Sequence, residues 1–395
     1  MTAAAQPVSH PARDSLWLYA LLALLATAGF FYVNIMSAIV DGLVTGLGFS
    51  NPQAGSVGAA NIYGASAGSL LAVFVVRRWR WRPTLASLLT LLVGIDLASI
   101  AVTDPTTLLV VRAMHGVVGG LSVGVAYSVM ARTQSPDRAF GMLLAVQFGL
   151  GGLGVMFLPS LVPLYGARIL FVVLAGLGAL ALLAMLAIPR RIEAGGRPAL
   201  GEVVAAVVYS RATAALTLLA LFLFQGGNMA LGAFIIRLGE DASLARDFIG
   251  QALGWATWIG AGGAVAVIMM GTRWGRFRPL LLALALTLVG TAAFRWSQMP
   301  WVYFAANVGT AITWSFVVPY LFGMLSRLDV SGRLATLGGF VSKAGLASGP
   351  LLAGWVLRGG DFGALVSLAV LVLLAAGAVA LVAARRVDAA ERALA

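Results

Sequence analysis

Apolar runs of about 20 residues follow one another along almost the whole chain, separated by short polar interruptions. A helix of that length spans the roughly 30 Å hydrocarbon core of a bilayer. Of the 395 residues, 61% are hydrophobic and only 10% are charged, against about 45–50% and 25% in ordinary soluble domains. A water-soluble fold cannot bury so much apolar surface. The sequence therefore predicts a polytopic membrane protein, with the lipid bilayer as its first partner.

The polar interruptions divide the chain into twelve predicted transmembrane helices, so the fold class we expect is an all-α membrane protein. The helices lie near 16–44, 53–76, 83–102, 106–130, 139–163, 167–188, 211–236, 248–271, 279–297, 300–325, 334–357 and 361–383. The longest hydrophilic stretch follows the sixth helix. It predicts an N-terminal six-helix bundle at 1–188, a cytoplasmic linker at 189–210 and a C-terminal six-helix bundle at 211–395.

Arginine is concentrated in every second interruption, and the alternate interruptions hold few positive charges. These few are Arg168, Arg237, Arg246, Arg295 and Arg358. Because cytoplasmic loops retain Lys and Arg, we expect both termini to be cytoplasmic in a multi-pass protein of a bacterial-type inner (plasma) membrane. The formal charge of +12 lies between apolar runs and forms no basic patch on a soluble face. Nucleic acid is therefore not an expected partner.

Several classes of chemistry are disfavoured by what the chain lacks. It has no cysteine and two histidines, so thiolate metal sites cannot form and a zinc site is not expected. The sequence contains no nucleophile–base pair, metal cluster or phosphate-cradling loop. We expect no metal, no cofactor and no enzymatic activity.

Two basic loops share the pattern R-x-x-R-aromatic-R-P, at 77–83 and 273–279. The arginines of these candidate gating loops are Arg77, Arg80 and Arg82 in the first and Arg273, Arg276 and Arg278 in the second. The same spacing pairs Gln147 with Lys343. Parallel six-helix repeats are a transporter architecture, with substrate bound near the membrane midplane between the halves.

The fourth predicted helix reads Arg112-Ala113-Met114-His115-Gly116. With the doubled basic loops and the six-plus-six arrangement, this segment resembles the R-x-x-Q-G signature of the major facilitator superfamily, with His115 at the Gln position. The resemblance implies two pseudo-symmetric bundles, a central substrate cavity and a monomeric secondary transporter. The basic loops lack the family's usual aspartate, and the fifth helix lacks the Gly-Pro signature of drug/proton antiporters.

Lys343 is the only lysine in the chain, and it lies about 15 Å along its helix from Arg333, near the midplane. A lysine at this depth is a candidate substrate ligand, and its ammonium suits a carboxylate or phosphate. It resembles the eleventh-helix lysine of oxalate-type organic-anion exchangers. The alternatives are an ion pair with an acid and snorkelling to a headgroup.

Amide and aromatic side chains reach a similar depth in several predicted helices. They are Asn34, Asn61 and Gln147, with Tyr32 and Tyr63 nearby, and Asn307, Trp258 and Trp314 in the second half. Amides orient a polar ligand while aromatic rings contact its apolar body, so we expect these residues to line a substrate cavity. Alternatively, amides join helices through hydrogen bonds worth about 0.6 kcal/mol on average.

Asp41, Asp96 and His115 are the candidate proton-coupling residues. Arg112 and Asp96 lie at equal distances from Asp104 on adjacent antiparallel helices, which predicts a salt bridge between them. That pair either holds two helices together or, as the family resemblance implies, takes part in coupling or in binding substrate charge. His115 can titrate near neutral pH or serve only in packing. Asp41 either carries a proton, caps its helix or pairs across a gate.

The function that these features favour is a secondary active, alternating-access permease for a small organic anion. Its expected partners are the small-molecule substrate and protons or a counter-ion. Lys343 and Arg112 would hold the anion's charge, and Asn34, Asn61 and Gln147 would orient it. One alternative is drug or metabolite efflux by proton antiport. Another, from a different class, is a transport-inactive membrane sensor on the same fold.

Overall fold

The structure is a computed structural model that describes residues 15–75, 79–133, 136–188, 211–271, 273–329 and 333–393. Twelve of its helices are long and apolar enough to cross a membrane. The predicted linker at 189–210 and Arg77 lie outside the described residues. The all-α membrane fold expected from the sequence is confirmed.

Fourteen α-helices form the described chain. The N-terminal half contains α1 Leu16–Asn34, α2 Met36–Leu47, α3 Asn51–Val75, α4 Trp81–Ser99, α5 Pro105–Met130, α6 Pro136–Tyr165 and α7 Arg168–Ala187. The C-terminal half contains α8 Arg211–Ala233, α9 Ile235–Asp241, α10 Arg246–Met270, α11 Phe277–Ala293, α12 Pro300–Leu328, α13 Arg333–Val356 and α14 Phe362–Arg392. Both described ends lie on one side of the bundle, here called the terminal side. The other is the distal side.

The first and seventh predicted helices are each divided in two, which corrects their prediction as continuous. α1 ends before Ile35 and α8 before Phe234, where φ is −112° and −109° instead of the helical value near −63°. At the second break the Tyr303 hydroxyl donates to the Ile235 carbonyl oxygen at 3.0 Å. Neither break contains a proline, so hydrophobic periodicity carries no sign of them.

The last helix continues to Arg392 instead of ending near residue 383. The added residues are mainly Ala, Arg and Glu, which favour helix as strongly as apolar residues do. Charge ends the apolar run at this point, but it does not end the helix. α14 therefore extends past the membrane-spanning stretch on the terminal side.

Buried apolar side chains form three clusters, and their positions show how the halves meet. One cluster lies on the terminal side of the N-terminal half, around Leu22 and Leu89. A second lies on the terminal side of the C-terminal half, around Leu284 and Leu321. The third contains residues of both halves, such as Ile39 with Phe234, and lies toward the distal side. The halves thus share one core distally and have separate cores terminally.

Glycines on α6 and α10, which belong to different halves, show the same divergence. A Cβ atom added to Gly250 or Gly254 of α10 would collide with Met156 of α6. Small residues at such positions let helix backbones approach closely. Nearer the terminal side, a Cβ on Gly262 of α10 or Gly141 of α6 would meet no atom within 4 Å. The two helices are therefore packed tightly at the distal side and separate toward the terminal side.

Candidate functional site

A cavity of about 240 Å³ lies between the two halves, beside the breaks in the first and seventh membrane-spanning segments. Both halves contribute to its lining. The polar lining residues are Asn34, Ser37, Asn228, Thr257, Asn307, Thr310 and Trp314. The lining that the described residues provide contains no charged side chain. The cavity therefore offers hydrogen bonds and one indole ring to a small polar ligand.

Three of the predicted site residues line this cavity: Asn34, Asn307 and Trp314. Ser37 and Thr310 were not predicted. Thr310 lies one helical turn beyond Asn307 in α12, and residues three or four positions apart share a helix face, so this spacing is the sequence signal that identifies it. Ser37 follows Asn34 across the break at Ile35, where helical spacing does not apply.

The aromatic wall of the cavity is fixed by hydrogen bonds among three helices of the C-terminal half. Trp314 Nε1 donates to Gln225 Oε1 at 2.7 Å, and Gln225 Nε2 donates to Ser342 Oγ at 2.7 Å. Gln225 is 2% exposed. Because each donor has its acceptor, the indole orientation is set before any ligand arrives.

The asparagines of the cavity are held through their amide nitrogens. Asn34 Nδ2 donates to the Gln147 carbonyl oxygen at 3.4 Å, and Asn307 Nδ2 donates to the Tyr303 carbonyl oxygen at 2.8 Å. An amide group held in this way keeps its own oxygen as an acceptor. Both side chains are thus positioned to accept hydrogen bonds from a ligand.

Lys343 lies one helical turn from Leu346, a residue of the cavity lining, on the terminal side of it. Its side chain is half-buried, and Nζ lies 5.9 Å from the centre of the Phe30 ring, which belongs to the other half. Within the described part of the chain, no carboxylate lies within 4 Å of Nζ. The lysine therefore faces an aromatic ring across the gap between the halves.

The predicted contact between Arg112 and Asp96 is confirmed, and it is the centre of a buried polar cluster. Arg112 Nη1 donates to Asp96 Oδ1 at 2.8 Å, and the two side chains are 0% and 3% exposed. His115 Nε2 lies 3.3 Å from the same oxygen. Arg112 also donates to Ser99 Oγ. The guanidinium is balanced by a carboxylate within its own half.

Asn61 and Tyr32 join this buried cluster and do not line the central cavity. Asn61 Nδ2 donates to the Arg112 carbonyl oxygen at 3.1 Å and lies 2.9 Å from His115 Nδ1. The Tyr32 ring lies 5.9 Å from the Arg112 guanidinium. The Tyr32 hydroxyl and Arg112 Nε are buried without a hydrogen-bond partner in the described structure. The cluster thus occupies the interior of the N-terminal half.

Two further predicted residues hold the halves together. Tyr63 Oη and Ser348 Oγ are 2.7 Å apart, which joins α3 to α13. Trp258 Nε1 donates to the Gly149 carbonyl oxygen at 3.3 Å, which joins α10 to α6. Both contacts join helices of different halves.

On the distal side, a cluster of charged residues connects the halves around Asp41, which is fully buried. Arg246 Nη1 donates to Asp41 Oδ2 at 3.0 Å and to the Pro159 carbonyl oxygen at 3.0 Å. Arg237 Nη1 lies 4.0 Å from Asp41 Oδ1 and donates to Glu240 at 2.7 Å. Asp41 thus pairs across the two halves, one of the roles considered for it.

Glu240 completes the distal cluster by pairing with both arginines, Arg237 and Arg246. Burial and, after it, repulsion from Asp41 raise the pKa of the Glu240 carboxyl, and the two arginines oppose that rise. The glutamate therefore loses its charge at a higher pH than a glutamate in water.

The arginines of the first basic loop have different environments. Arg82 donates to the carbonyl oxygens of Ile188 at 2.6 Å and Met185 at 2.9 Å, which covers the end of α7. Arg80 is exposed. This loop holds an end of its own half in place.

The second basic loop finds its acidic partners at the end of α14. Arg276 Nη1 donates to Glu391 Oε2 at 2.6 Å and lies 3.6 Å from Asp388 Oδ1. The aspartate that the loop motif lacks is thus replaced by carboxylates over a hundred positions later in the sequence. Arg273 and Arg278 line a groove beside this pair.

The Major Facilitator Superfamily model matches residues 19–216, half of the chain. The chain belongs to the Major Facilitator Superfamily. It is accordingly a transporter and not an enzyme. No curated protein sequence matches the chain.

Solved structures share this superfamily fold along nearly the whole chain. The nucleoside transporter NupG superposes with a TM-score of 0.67 at 15% identity, over 94% of this chain and 97% of that one. A D-xylose-proton symporter gives 0.66 at 15%, over 94% and 96%. A bacterial homolog of the human lysosomal transporter Spinster, inward-facing and unoccupied, gives 0.65 at 13%, over 96% and 98%. At these identities the likeness shows the fold alone.

Proposed function

We propose that this superfamily member is an alternating-access carrier for a small organic anion. The observation that carries the proposal is Lys343, a cation near the midplane that faces the gap between the halves without a carboxylate partner among the described residues. A buried or half-buried charge without a partner is costly in a membrane. An anionic substrate that completes the pair removes that cost.

The cavity beside Lys343 supports a substrate with a polar body. Asn34 and Asn307 accept hydrogen bonds from hydroxyl or amide groups, and Trp314 contacts an apolar face. The substrate class proposed here is therefore a small carboxylate or phosphate that also carries hydrogen-bond donors.

We further propose that Asp41 couples transport to protons or to a counter-ion. Its charge holds Arg246 and Arg237 of the other half, so a proton on Asp41 weakens the distal contact. His115 and Asp96 form a second candidate pair within the N-terminal half. Exchange of one anion for another needs no proton and is the alternative within the same proposal.

The setting proposed for the carrier is a bacterial-type inner membrane, in which the chain acts as a monomer. The terminal side carries the arginine-rich loops, and such loops stay in the cytoplasm. The terminal side is therefore assigned to the cytoplasm, and the gap between the halves opens toward it.

The proposal is tested by ligand-induced thermal stabilisation of the purified full-length chain. Carboxylates, inorganic phosphate, sugars, nucleosides and cationic drugs are compared on wild type, Lys343→Met and the control Arg333→Met, which removes an exposed charge from the same helix. We expect a carboxylate or phosphate to raise the unfolding temperature of wild type and the control but not of Lys343→Met. Stabilisation by sugars or nucleosides alone, equal in all three proteins, contradicts the anion assignment.

Drug efflux is the other transport function considered, and it requires a negative group for a cationic drug. The described lining of the central cavity contains no carboxylate. Two buried carboxylates, Asp41 and Asp96, are already paired with arginines. Stabilisation by cationic drugs in the same experiment would move the function to efflux.

A further inference from the structure

A groove of about 850 Å³ lies on the terminal side of the C-terminal half, between the loop before α11 and the end of α14. Four arginines line it: Arg273, Arg278, Arg385 and Arg392. It is separate from the central cavity, and none of its lining residues lines that cavity. Its function is therefore a separate question from the transported solute.

The two acids in the groove are already engaged by other groups. The Asp388 carboxylate accepts hydrogen bonds from the backbone N–H groups of Arg276 and Phe277, each at 2.9 Å, and so caps the start of α11. Glu391 accepts from Arg276 at 2.6 Å and from Arg327 at 3.1 Å. Arg276 and Arg327 are not lining residues of the groove, so the charges that neutralise the two acids lie outside it. The lining arginines keep a net positive charge.

Two of the lining arginines, Arg385 and Arg392, are held in place by contacts that do not neutralise their charge. The Arg385 guanidinium lies 4.3 Å from the centre of the Phe277 ring, and Arg392 Nε donates to the Asp388 backbone carbonyl oxygen at 3.2 Å. Within the described residues, Arg273 and Arg278 have no carboxylate within 4 Å. Several positive charges therefore converge on one concave surface.

The length of α14 places this groove at the level of the lipid headgroups. Its 31 residues extend about 46 Å at 1.5 Å per residue, well beyond the roughly 30 Å hydrocarbon core. The loop also presents Trp274, which is 69% exposed, and indoles favour the membrane interface. Just before the loop, Ile268 and Met269 are 83% and 73% exposed at the end of α10. Apolar side chains exposed there suit contact with acyl chains.

We infer that this groove binds the headgroup of an anionic phospholipid, with the phosphate held by the lining arginines. Guanidinium groups match phosphate oxygens in geometry as well as charge, and basic pockets at the cytoplasmic face of membrane proteins bind such headgroups.

The experiment measures unfolding temperature and lipid retention of the full-length protein in detergent micelles. The additives are phosphatidylglycerol, phosphatidylcholine and inorganic phosphate, and native mass spectrometry counts retained lipids. The test variant is R273Q/R278Q/R385Q, and the matched control is R138Q/R211Q/R333Q. The control removes the same charge from exposed positions on the same side, away from the groove. A charge-retaining R273K/R278K/R385K variant separates charge from packing, since Arg385 contacts Phe277.

We expect phosphatidylglycerol to stabilise wild type, the control and the lysine variant, and phosphatidylcholine to have no such effect. In the glutamine variant the apparent affinity falls about a hundredfold, since each arginine near an anionic surface contributes about a factor of five. Equal binding by the glutamine variant and wild type overturns the inference. Equal stabilisation of wild type by inorganic phosphate also overturns it and points to a soluble anion.

Discussion

The Arg112 side chain is fully buried, and its charge is stabilised there by Asp96, 2.8 Å away, and by a hydrogen bond to Ser99. Burying two charges is expensive, and their attraction repays that cost only while both are present. The pair also fixes α4 against α5, because one residue comes from each helix. Its loss should therefore be visible in the stability of the N-terminal half.

We expect Arg112→Gln to lower the free energy of unfolding by about 3–5 kcal/mol, because Asp96 is left as an unpaired buried charge. Adding Asp96→Asn to that variant removes the charge and recovers part of the loss. Chemical unfolding in micelles, followed by near-UV circular dichroism, measures both. Arg138→Gln is the control, with an expected change within about 0.5 kcal/mol for an exposed position. A loss in Arg112→Gln as small as that of the control contradicts the role assigned to the pair.

For single residues, the sequence predicts the depth in the membrane better than the direction in which the side chain faces. Counting residues from a helix end places Arg112 and Asp96 level with each other, and they do meet. The same count places Asn61 near the midplane, where its amide turns toward His115 inside the half. The face that a residue presents depends on how its helix is rotated, and packing against neighbouring helices decides that rotation.

The breaks at Ile35 and Phe234 are the elements that shape the central cavity. Residues on either side of both breaks, such as Ser37 and Gly232, line it. A break exposes backbone groups that need partners in a membrane. The Tyr303 hydroxyl fixes the start of α9 beside the second break by donating to the Ile235 carbonyl oxygen.

We expect Tyr303→Phe to destabilise the protein by about 0.5–1.5 kcal/mol, because the buried hydrogen bond from the Tyr303 hydroxyl to the Ile235 carbonyl oxygen is lost. The altered break should also weaken binding of whichever ligand stabilises wild type. Thermal unfolding with and without that ligand measures both effects. Tyr165→Phe is the control, since Tyr165 is 64% exposed. Equal stability of the two variants contradicts a role for this hydroxyl in maintaining the break.

Hydrophobic runs predict most helices to within a few residues, because crossing the bilayer requires an uninterrupted apolar length. They do not predict the two breaks, which contain no proline, or the end of α14, where the helix continues through Arg385 and Arg386. Those features depend on tertiary hydrogen bonds and on helix propensity outside the membrane. Neither leaves a signal in hydropathy.

At the scale of the molecule, the halves are joined distally and separated terminally. The shared core and the ion pairs around Asp41 hold the distal side. On the terminal side each half has its own core. Alternating access requires that this asymmetry reverse, so the distal contacts must be weak enough to break. Asp41 is the residue whose charge joins the halves there.

The most direct test uses spin labels to measure the distance between the two halves on each side of the membrane. The chain has no cysteine, so labels attach only at introduced cysteines. The distal pair is Ser50→Cys with Ala245→Cys, and the terminal pair is Arg138→Cys with Arg333→Cys, all at exposed positions. Each pair is measured in three proteins: one that keeps Asp41, one that carries Asp41→Asn, and the control Asp104→Asn. The control changes a fully exposed carboxylate on the distal side.

We expect Asp41→Asn to lengthen the distal distance by several ångströms and to shorten the terminal one, because Arg246 and Arg237 lose the charge that holds them to the other half. Asp104→Asn should change neither. Unchanged distances in Asp41→Asn, or distances that lengthen on both sides together, would contradict an alternating carrier closed distally by Asp41.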